Sequence, residues 1–201
     1  KNASTPVDQA EQDYCACLRG VYPWADYVTI NISSPNTKGL RDLQNEAALN
    51  RLLGAIRQEA TQLQHQHLRR VPLFLKVAPD LDETGMEAIA HAVVTHEIEA
   101  VIATNTTLDR SKILGHPHAE ESGGLSGAPV FERSNEALRL LRAHLPREVA
   151  LIGVGGILSA SDGCKKMDLG ASLVQVYSGL IYQGPQLVSD LVAALSDCQR
   201  A

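Results

Sequence analysis

Seven consecutive residues, Asn31-Ile-Ser-Ser-Pro-Asn-Thr37, leave the apolar run Tyr27-Val-Thr-Ile30 carrying two carboxamides and two serine hydroxyls, and a proline stiffens the exit. At the end of a buried strand such groups need partners, because each one left unpaired costs about 1–3 kcal/mol. None of them is charged. Uncharged donors and acceptors suit a flat polar heterocycle better than a metal ion or a nucleic-acid backbone, so the motif predicts a small-molecule site.

Other segments repeat the theme. Thr104-Asn105-Thr106-Thr107 again puts hydroxyls and an amide after an apolar run. Alone it would be a turn or a helix cap; beside Asn31–Thr37 it reads as a second wall of the same pocket. Lys76 lies inside Leu73-Phe-Leu-Lys-Val77, where desolvating a cation is costly. It is either ion-paired with Asp80 or a neighbouring carboxylate, or it faces a group that turns anionic, as a reduced flavin ring does. Gly153-Val-Gly-Gly156 and Tyr177-Ser-Gly179 are glycine clusters at successive strand ends, suited to close backbone approach and to phosphate binding by N–H groups. Gly123-Gly-Leu-Ser-Gly127 is either a third backbone contact or a hinge.

Several alternatives are excluded. Ser33 and Ser34 have no base nearby in sequence, the histidines fall on helical faces or in a long loop, and no Gly-x-Ser-x-Gly elbow is present, which argues against hydrolysis. A serine acting here would be a proton acceptor in an ordered network. His116, His118, Glu120 and Glu121 read as a polar loop rather than a metal centre. Trp24 and Tyr27 read as core and rim aromatics.

These residues need positioning elements, and the pattern supplies them. Near-continuous apolar runs at Tyr27–Asn31, Leu73–Val77, Ala100–Thr104, Ala150–Val154 and Leu173–Tyr177 predict strands buried on both faces. Helical periodicity covers Val7–Leu18, Glu46–His67, Glu83–His96, Arg133–Leu145 and Gln186–Cys198. The alternation predicts an α/β fold with a parallel sheet in one domain over residues 1–201. The long connection Thr106–Val130 has the length of a lid or binding loop. Five strands allow an open doubly wound sheet or the last five β/α units of a (β/α)8 TIM barrel. Because every strand ends in polar or glycine-rich chemistry, the barrel is favoured: its strand ends share one mouth, whereas an open sheet concentrates chemistry at a single switch point.

Composition sets outer limits. The formal net charge of −5 argues against nucleic acid as a partner. The basic pair Arg69-Arg70 reads as a helix end, where cations meet the dipole favourably. Cys15 and Cys17 point apart in a helical pattern, and Cys164 and Cys198 stand alone, as expected of a reduced interior. No run of about 18 apolar residues exists to span a membrane, and Lys1–Pro6 lacks the features of a signal peptide.

Taken in order, Asn31–Thr37 with Gly39-Leu-Arg41, Lys76-Val-Ala-Pro-Asp80, Ala103-Thr-Asn-Thr-Thr107, Gly123–Gly127, Gly153–Gly156 and Gly170-Ala-Ser-Leu-Val-Gln-Val-Tyr-Ser178 closely resemble the dihydroorotate dehydrogenase family, in its class 2, quinone-linked, membrane-associated form. The resemblance implies FMN-dependent oxidation of dihydroorotate to orotate in pyrimidine synthesis. It implies Ser34 as the base that takes the C5 proton while hydride leaves C6 for the flavin, a position where class 1 enzymes usually carry cysteine. By the same resemblance Asn31, Asn36, Asn105 and Thr106 hold the substrate. Asn31, Lys76, Thr104, Gly127, Gly156, Tyr177 and Ser178 contact the flavin or its phosphate. No metal is implied.

The family normally begins with a helical domain that admits quinone and with early barrel strands. Neither is recognisable here, so the resemblance implies a C-terminal portion whose parent sits peripherally on the cytoplasmic face of the inner membrane. Two alternatives follow from the residues, a catalytically incomplete fragment and a flavin- or phosphate-binding module without redox chemistry.

Overall fold

The computed structural model describes residues 1–2 and 4–198, and side chains through Ser196, so the Cys198 side chain lies outside the described residues. Five parallel strands, β1 (Val28–Asn31), β2 (Leu73–Val77), β3 (Ala100–Ala103), β4 (Ala150–Val154) and β5 (Leu173–Gln175), pair in strict chain order. Among the described residues seven α-helices precede, connect and follow them: α1 (Ala10–Val21), α2 (Glu46–His67), α3 (Glu83–Thr95), α4 (Phe131–His144), α5 (Ala160–Asp168), α6 (Ser178–Gln183) and α7 (Gln186–Cys198). The expected strands are present, with β1, β3 and β5 shorter by one or two residues at an end. The helix expected at Val7–Leu18 begins as a 3-10 turn and continues to Val21, and α6 carried no expectation.

Local chemistry explains the helix boundaries. The Asn45 side chain accepts from the Ala47 N–H and starts α2, and Asp82 does the same for α3 through Gly85. Ser159 and Asp162 form a reciprocal capping box at α5. The apolar face of α2, from Leu49, Leu52, Leu53, Ile56, Ala60 and Leu63, is buried.

The sheet has two unlike faces. Ile30, Leu73, Leu75, Val77, Val101, Ala103 and Leu151 pack with residues of α1 to α4 into the main core. The opposite face carries a smaller layer built from strand residues alone, Phe74, Ala100, Ile102, Ala150, Ile152 and Val154. A doubly wound sheet would have helices on both faces and a reversal of strand order. Sequential parallel pairing with helices on one face is the arc of a β/α barrel, so the barrel alternative holds.

Three expectations are corrected. Arg69 and Arg70 follow α2 rather than ending it: Arg69 donates to the carbonyls of Pro23 and Ala25, and Arg70 pairs with Glu99 at 2.8 Å. Those contacts staple the chain before β1 to the strand entrance. Trp24 is 85% exposed and is no core residue, whereas Tyr27 stacks on Phe74 at the rim of the concave face. The long loop Thr106–Val130 is also less irregular than expected, with short 3-10 turns at Ser111–Ile113 and Ala128–Val130 and a bridge between Thr107 and Leu125.

Candidate active site

The register of the sheet decides which side chains meet. Asn31 is aligned with Lys76, and Lys76 with Ile102. Paired positions of parallel strands share a face, so Asn31 and Lys76 project side by side from the concave surface at its C-terminal edge. Immediately beyond, the chain leaves β3 through a cis Ala103–Thr104 peptide. The Thr104 N–H is received by Val154 and that of Asn105 by Val77, which fixes the Thr104–Thr106 turn between β2 and β4.

The uncharged groups form one network. The Asn31 side-chain oxygen accepts from the Ser33 hydroxyl (2.8 Å), the Ser33 N–H (3.2 Å) and the Asn105 amide (3.4 Å). The Asn105 amide also reaches the Ser33 hydroxyl at 3.1 Å, and its oxygen accepts from the Thr106 N–H at 2.8 Å. Tyr14 of α1 donates to the Asn31 carbonyl at 2.7 Å. Ser33 is fully buried in this web. Among the described residues its neighbour Ser34 has a single hydrogen bond, accepting from the Asn36 N–H at 3.3 Å, with no carboxylate or imidazole bonded to it.

A cavity of about 460 Å³ opens beside the network, within the roughly 300–1,000 Å³ usual for small-molecule sites. It is lined by Lys76, Thr104, Asn105 and Thr106 on one side, by Ser126, Gly127, Gly155 and Gly156 on another, and by Gln175, Tyr177, Ser178 and Gly179 at the far end. Of the other expected site residues, Asn31 is tied to this lining through the Asn105 amide, whereas Ser34 and Asn36 contact each other and are not part of the lining. Ser178 and Ser126 share a hydrogen bond of 3.0 Å, closing the long loop onto the end of β5. Tyr177 contributes to the wall although the residue is 80% exposed.

Two glycines are dictated by sterics. A Cβ at Gly156, where φ is +72°, would lie 2.5 Å from the Phe131 Cβ, so no other residue lets the β4 loop approach α4 as it does. A Cβ at Gly124 would meet the Thr106 Oγ1 at 1.8 Å and the Pro35 Cγ at 2.9 Å. The long loop therefore packs directly on both uncharged motifs, as a wall and not a hinge.

Lys76 is not ion-paired. Asp80 binds Arg41 at 2.7 Å instead, and also receives the Thr107 hydroxyl and the Leu108 N–H. Burial alone pushes the Lys76 ammonium below its usual range, with no carboxylate opposing the shift. Among the described residues it has no hydrogen-bond partner, so a bare cation faces the cavity.

Sequence reasoning did not assign three contributors. Arg41 grips Ser33 O at 3.0 Å, Thr106 O at 2.9 Å and Asp80, joining the loops after β1, β2 and β3. Gln44 accepts from the Ala78 N–H at 2.9 Å, holding the exit of β2. Gln175 was visible as a polar residue at an alternating strand position, but Arg41 and Gln44 sit in a stretch with no periodic signal. His118 pairs with Glu121 at 2.6 Å on the surface, and among the described residues no three His, Cys, Asp or Glu converge as metal ligands.

Comparison with known proteins agrees with this geometry. A family model described as Dihydroorotate dehydrogenase matches residues 2–198. The dihydroorotate dehydrogenase (quinone) of Verminephrobacter eiseniae is 56% identical over 195 residues, covering 97% of this chain and 54% of that protein. The one from Nitrosomonas eutropha is 54% identical over 201 residues, covering 100% and 58%. The chain thus spans about half the length of the curated relatives it matches. A crystal structure of DHODH from Eimeria tenella in complex with ferulenol superposes with a TM-score of 0.90 at 34% identity, covering 97% of this chain and 55% of that one. From motifs, fold and relatives together, the chain belongs to the dihydroorotate dehydrogenase family.

Proposed function

We propose that this chain forms the larger part of an FMN-binding β/α barrel that oxidises dihydroorotate to orotate in pyrimidine synthesis and passes the electrons to a quinone. The observation that carries the proposal is the meeting, at one mouth, of the Asn31–Ser33–Asn105 network, the unpartnered Lys76 and the glycine cradle of the β4 and β5 ends.

The cavity fits FMN by two tests. Its far end is bare backbone and hydroxyl at Gly155, Gly156, Ser178 and Gly179, which leaves N–H and O–H groups open to a phosphate. Its near end holds Lys76, whose desolvated charge lacks a partner, as the edge of an electron-accepting ring requires. Lys76, Thr104 and Asn31 would hold the ring, and Gly127, Gly156, Tyr177 and Ser178 the ribityl phosphate. FMN supplies a two-electron acceptor that a quinone can reoxidise.

The remaining chemistry belongs to the chain. Asn31, Asn36, Asn105 and Thr106 provide amide and hydroxyl groups matched to the ring N–H and C=O groups and the carboxylate of a pyrimidine acid. Ser34 takes the proton from C5, which the adjacent carbonyl acidifies. As it does so its own hydroxyl proton passes outward to solvent, so Oγ ends neutral, and the Asn36 N–H at 3.3 Å stabilises the alkoxide character that Oγ gains as that proton leaves. Gly124 packs against Thr106 and Pro35, so the long loop backs both walls of this site. Arg41 holds the carbonyls of Ser33 and Thr106, and so the spacing of the two walls.

Membrane association would lie with a segment that admits the quinone, at the cytoplasmic face of the inner membrane; no described helix is long and apolar enough to cross a bilayer. A second reading, a unit that is catalytically incomplete alone, is favoured by one observation. Strands β1 and β5 each pair on one side only among the described residues, and Leu173 is 59% exposed on the concave face.

Anaerobic titration of the FMN-loaded chain with dihydroorotate tests both. Bleaching of the flavin band, with Ser34→Ala retaining FMN but bleaching at least about 10²-fold more slowly, supports the catalytic proposal. FMN binding without bleaching favours the incomplete unit, and no FMN binding refutes the cavity assignment.

A further inference from the structure

Behind the glycine cradle lies a cation that the proposed mechanism does not use. Lys166 of α5 is completely buried. Its stem crosses the strand where β4 has Gly153, and a Cβ there would lie 3.0–3.2 Å from three Lys166 carbons. Its ammonium donates to the Ser134 hydroxyl of α4 and lies 5.1 Å from the centre of the Phe131 ring. Glu132 and Asp162 act on it electrostatically, but neither forms an ion pair with it. Burial is the larger influence and brings its pKa down to about 8. Such a residue is costly to keep.

What the ammonium touches indicates its use. The Ser134 hydroxyl sits between two carbonyls, Phe131 at 2.8 Å and Gly155 at 3.1 Å. The Gly155–Gly156 peptide is trans, so its C=O and N–H point in opposite directions. With the carbonyl drawn back toward Ser134, the Gly156 N–H turns toward the cavity that Gly156 lines. No hydrogen bond among the described residues uses that N–H.

We propose that Lys166 and Ser134 are a positioning pair for an anion at the glycine cradle: the buried ammonium, through the Ser134 hydroxyl, fixes the Gly155–Gly156 peptide with its N–H toward the ligand and supplies positive charge behind it. The inference rests on the assignment of the cavity to FMN, and the anion is the ribityl phosphate. Neither residue touches the reacting atoms, so both act on affinity for the phosphate and not on the ring chemistry.

The test compares FMN with riboflavin, which lacks only the phosphate, by quenching of flavin fluorescence on the full chain. The unaltered protein prefers FMN. Lys166→Met is expected to weaken FMN binding about tenfold or more, the scale of one charge-assisted contact, and to leave riboflavin binding within about threefold. Ser134→Ala, which keeps the ammonium, moves the ratio the same way by a smaller factor. A folded Lys166→Met with an unchanged FMN-to-riboflavin ratio overturns the inference and leaves the cavity assignment standing. If the unaltered protein binds neither flavin, or binds both equally, the assignment falls and the inference with it. Should Lys166→Met fail to fold, Ser134→Ala decides: an unchanged ratio overturns the pair's role, and a reduced one supports it.

Discussion

Arg41→Ala should cost far more stability than a surface arginine. Its guanidinium makes three contacts at once: 3.0 Å to the Ser33 carbonyl, 2.9 Å to the Thr106 carbonyl and 2.7 Å to Asp80. Side-chain exposure is 19% for Arg41 and 24% for Asp80, between the surface case, worth about 0–1 kcal/mol, and the buried case, where breaking a pair costs about 3–5 kcal/mol. Asp80 keeps the Thr107 hydroxyl and the Leu108 N–H after the change, so its share is about 1 kcal/mol, and each carbonyl left without its donor adds about 1 kcal/mol. The expected loss is therefore about 2–4 kcal/mol, read from urea unfolding followed by circular dichroism with an unchanged m value. Arg41→Lys should recover only the Asp80 contact, since one ammonium cannot span three acceptors in the plane of a guanidinium. A loss under about 0.5 kcal/mol for Arg41→Ala would refute the clamp and mean that backbone hydrogen bonds alone hold the three loops.

Gly124→Ala should cost about 1–3 kcal/mol by overpacking, because its new methyl must displace Thr106 and the Pro35 ring. The same exchange at Gly20 in α1, with nothing within 4 Å, should instead stabilise by up to about 1 kcal/mol, and thermal melts of the two variants check the contrast. Lys76→Met should raise stability by about 1 kcal/mol while lowering FMN affinity about tenfold or more, measured by urea titration and flavin fluorescence. Burial lowers the Lys76 pKa from 10.5, so the unfolded chain holds that proton more tightly and stability should climb as pH rises toward 10.5; Lys76→Met should lose that alkaline gain.

How much of this could be read beforehand follows from the physics of each feature. Strands β2 and β4 and helices α2 and α7 matched their expected bounds because burial on a face leaves a periodic trace in sequence. The wall residues Asn31, Ser33, Thr104 and Asn105 were legible because polar groups at buried strand ends must have partners. The Lys76 environment was legible only as a choice: an aspartate four residues on suggested an ion pair, and nothing in sequence shows that Arg41, 39 residues before Asp80, takes that carboxylate first. Lys166 was missed for a similar reason. In α5 it stands beside Lys165, and nothing in that pair tells the buried lysine from the other; the glycine at position 153 makes room for its stem.

The placement of charge argues for an anionic ligand independently of any motif. The chain carries an excess of acidic residues, with a formal net charge of −5, yet Lys76, which lines the cavity, and Lys166, packed behind it against Gly153 and Ser134, are both desolvated, and neither is ion-paired among the described residues. Each costs stability that a methionine or leucine of similar size would not. One projects from the concave face at the uncharged network, and the other lies behind the glycine cradle, bonded to Ser134. A neutral ligand would leave both costs standing. A ligand with a phosphate at one end and a ring that gains negative charge at the other offsets both, which is the charge distribution of a flavin nucleotide during turnover.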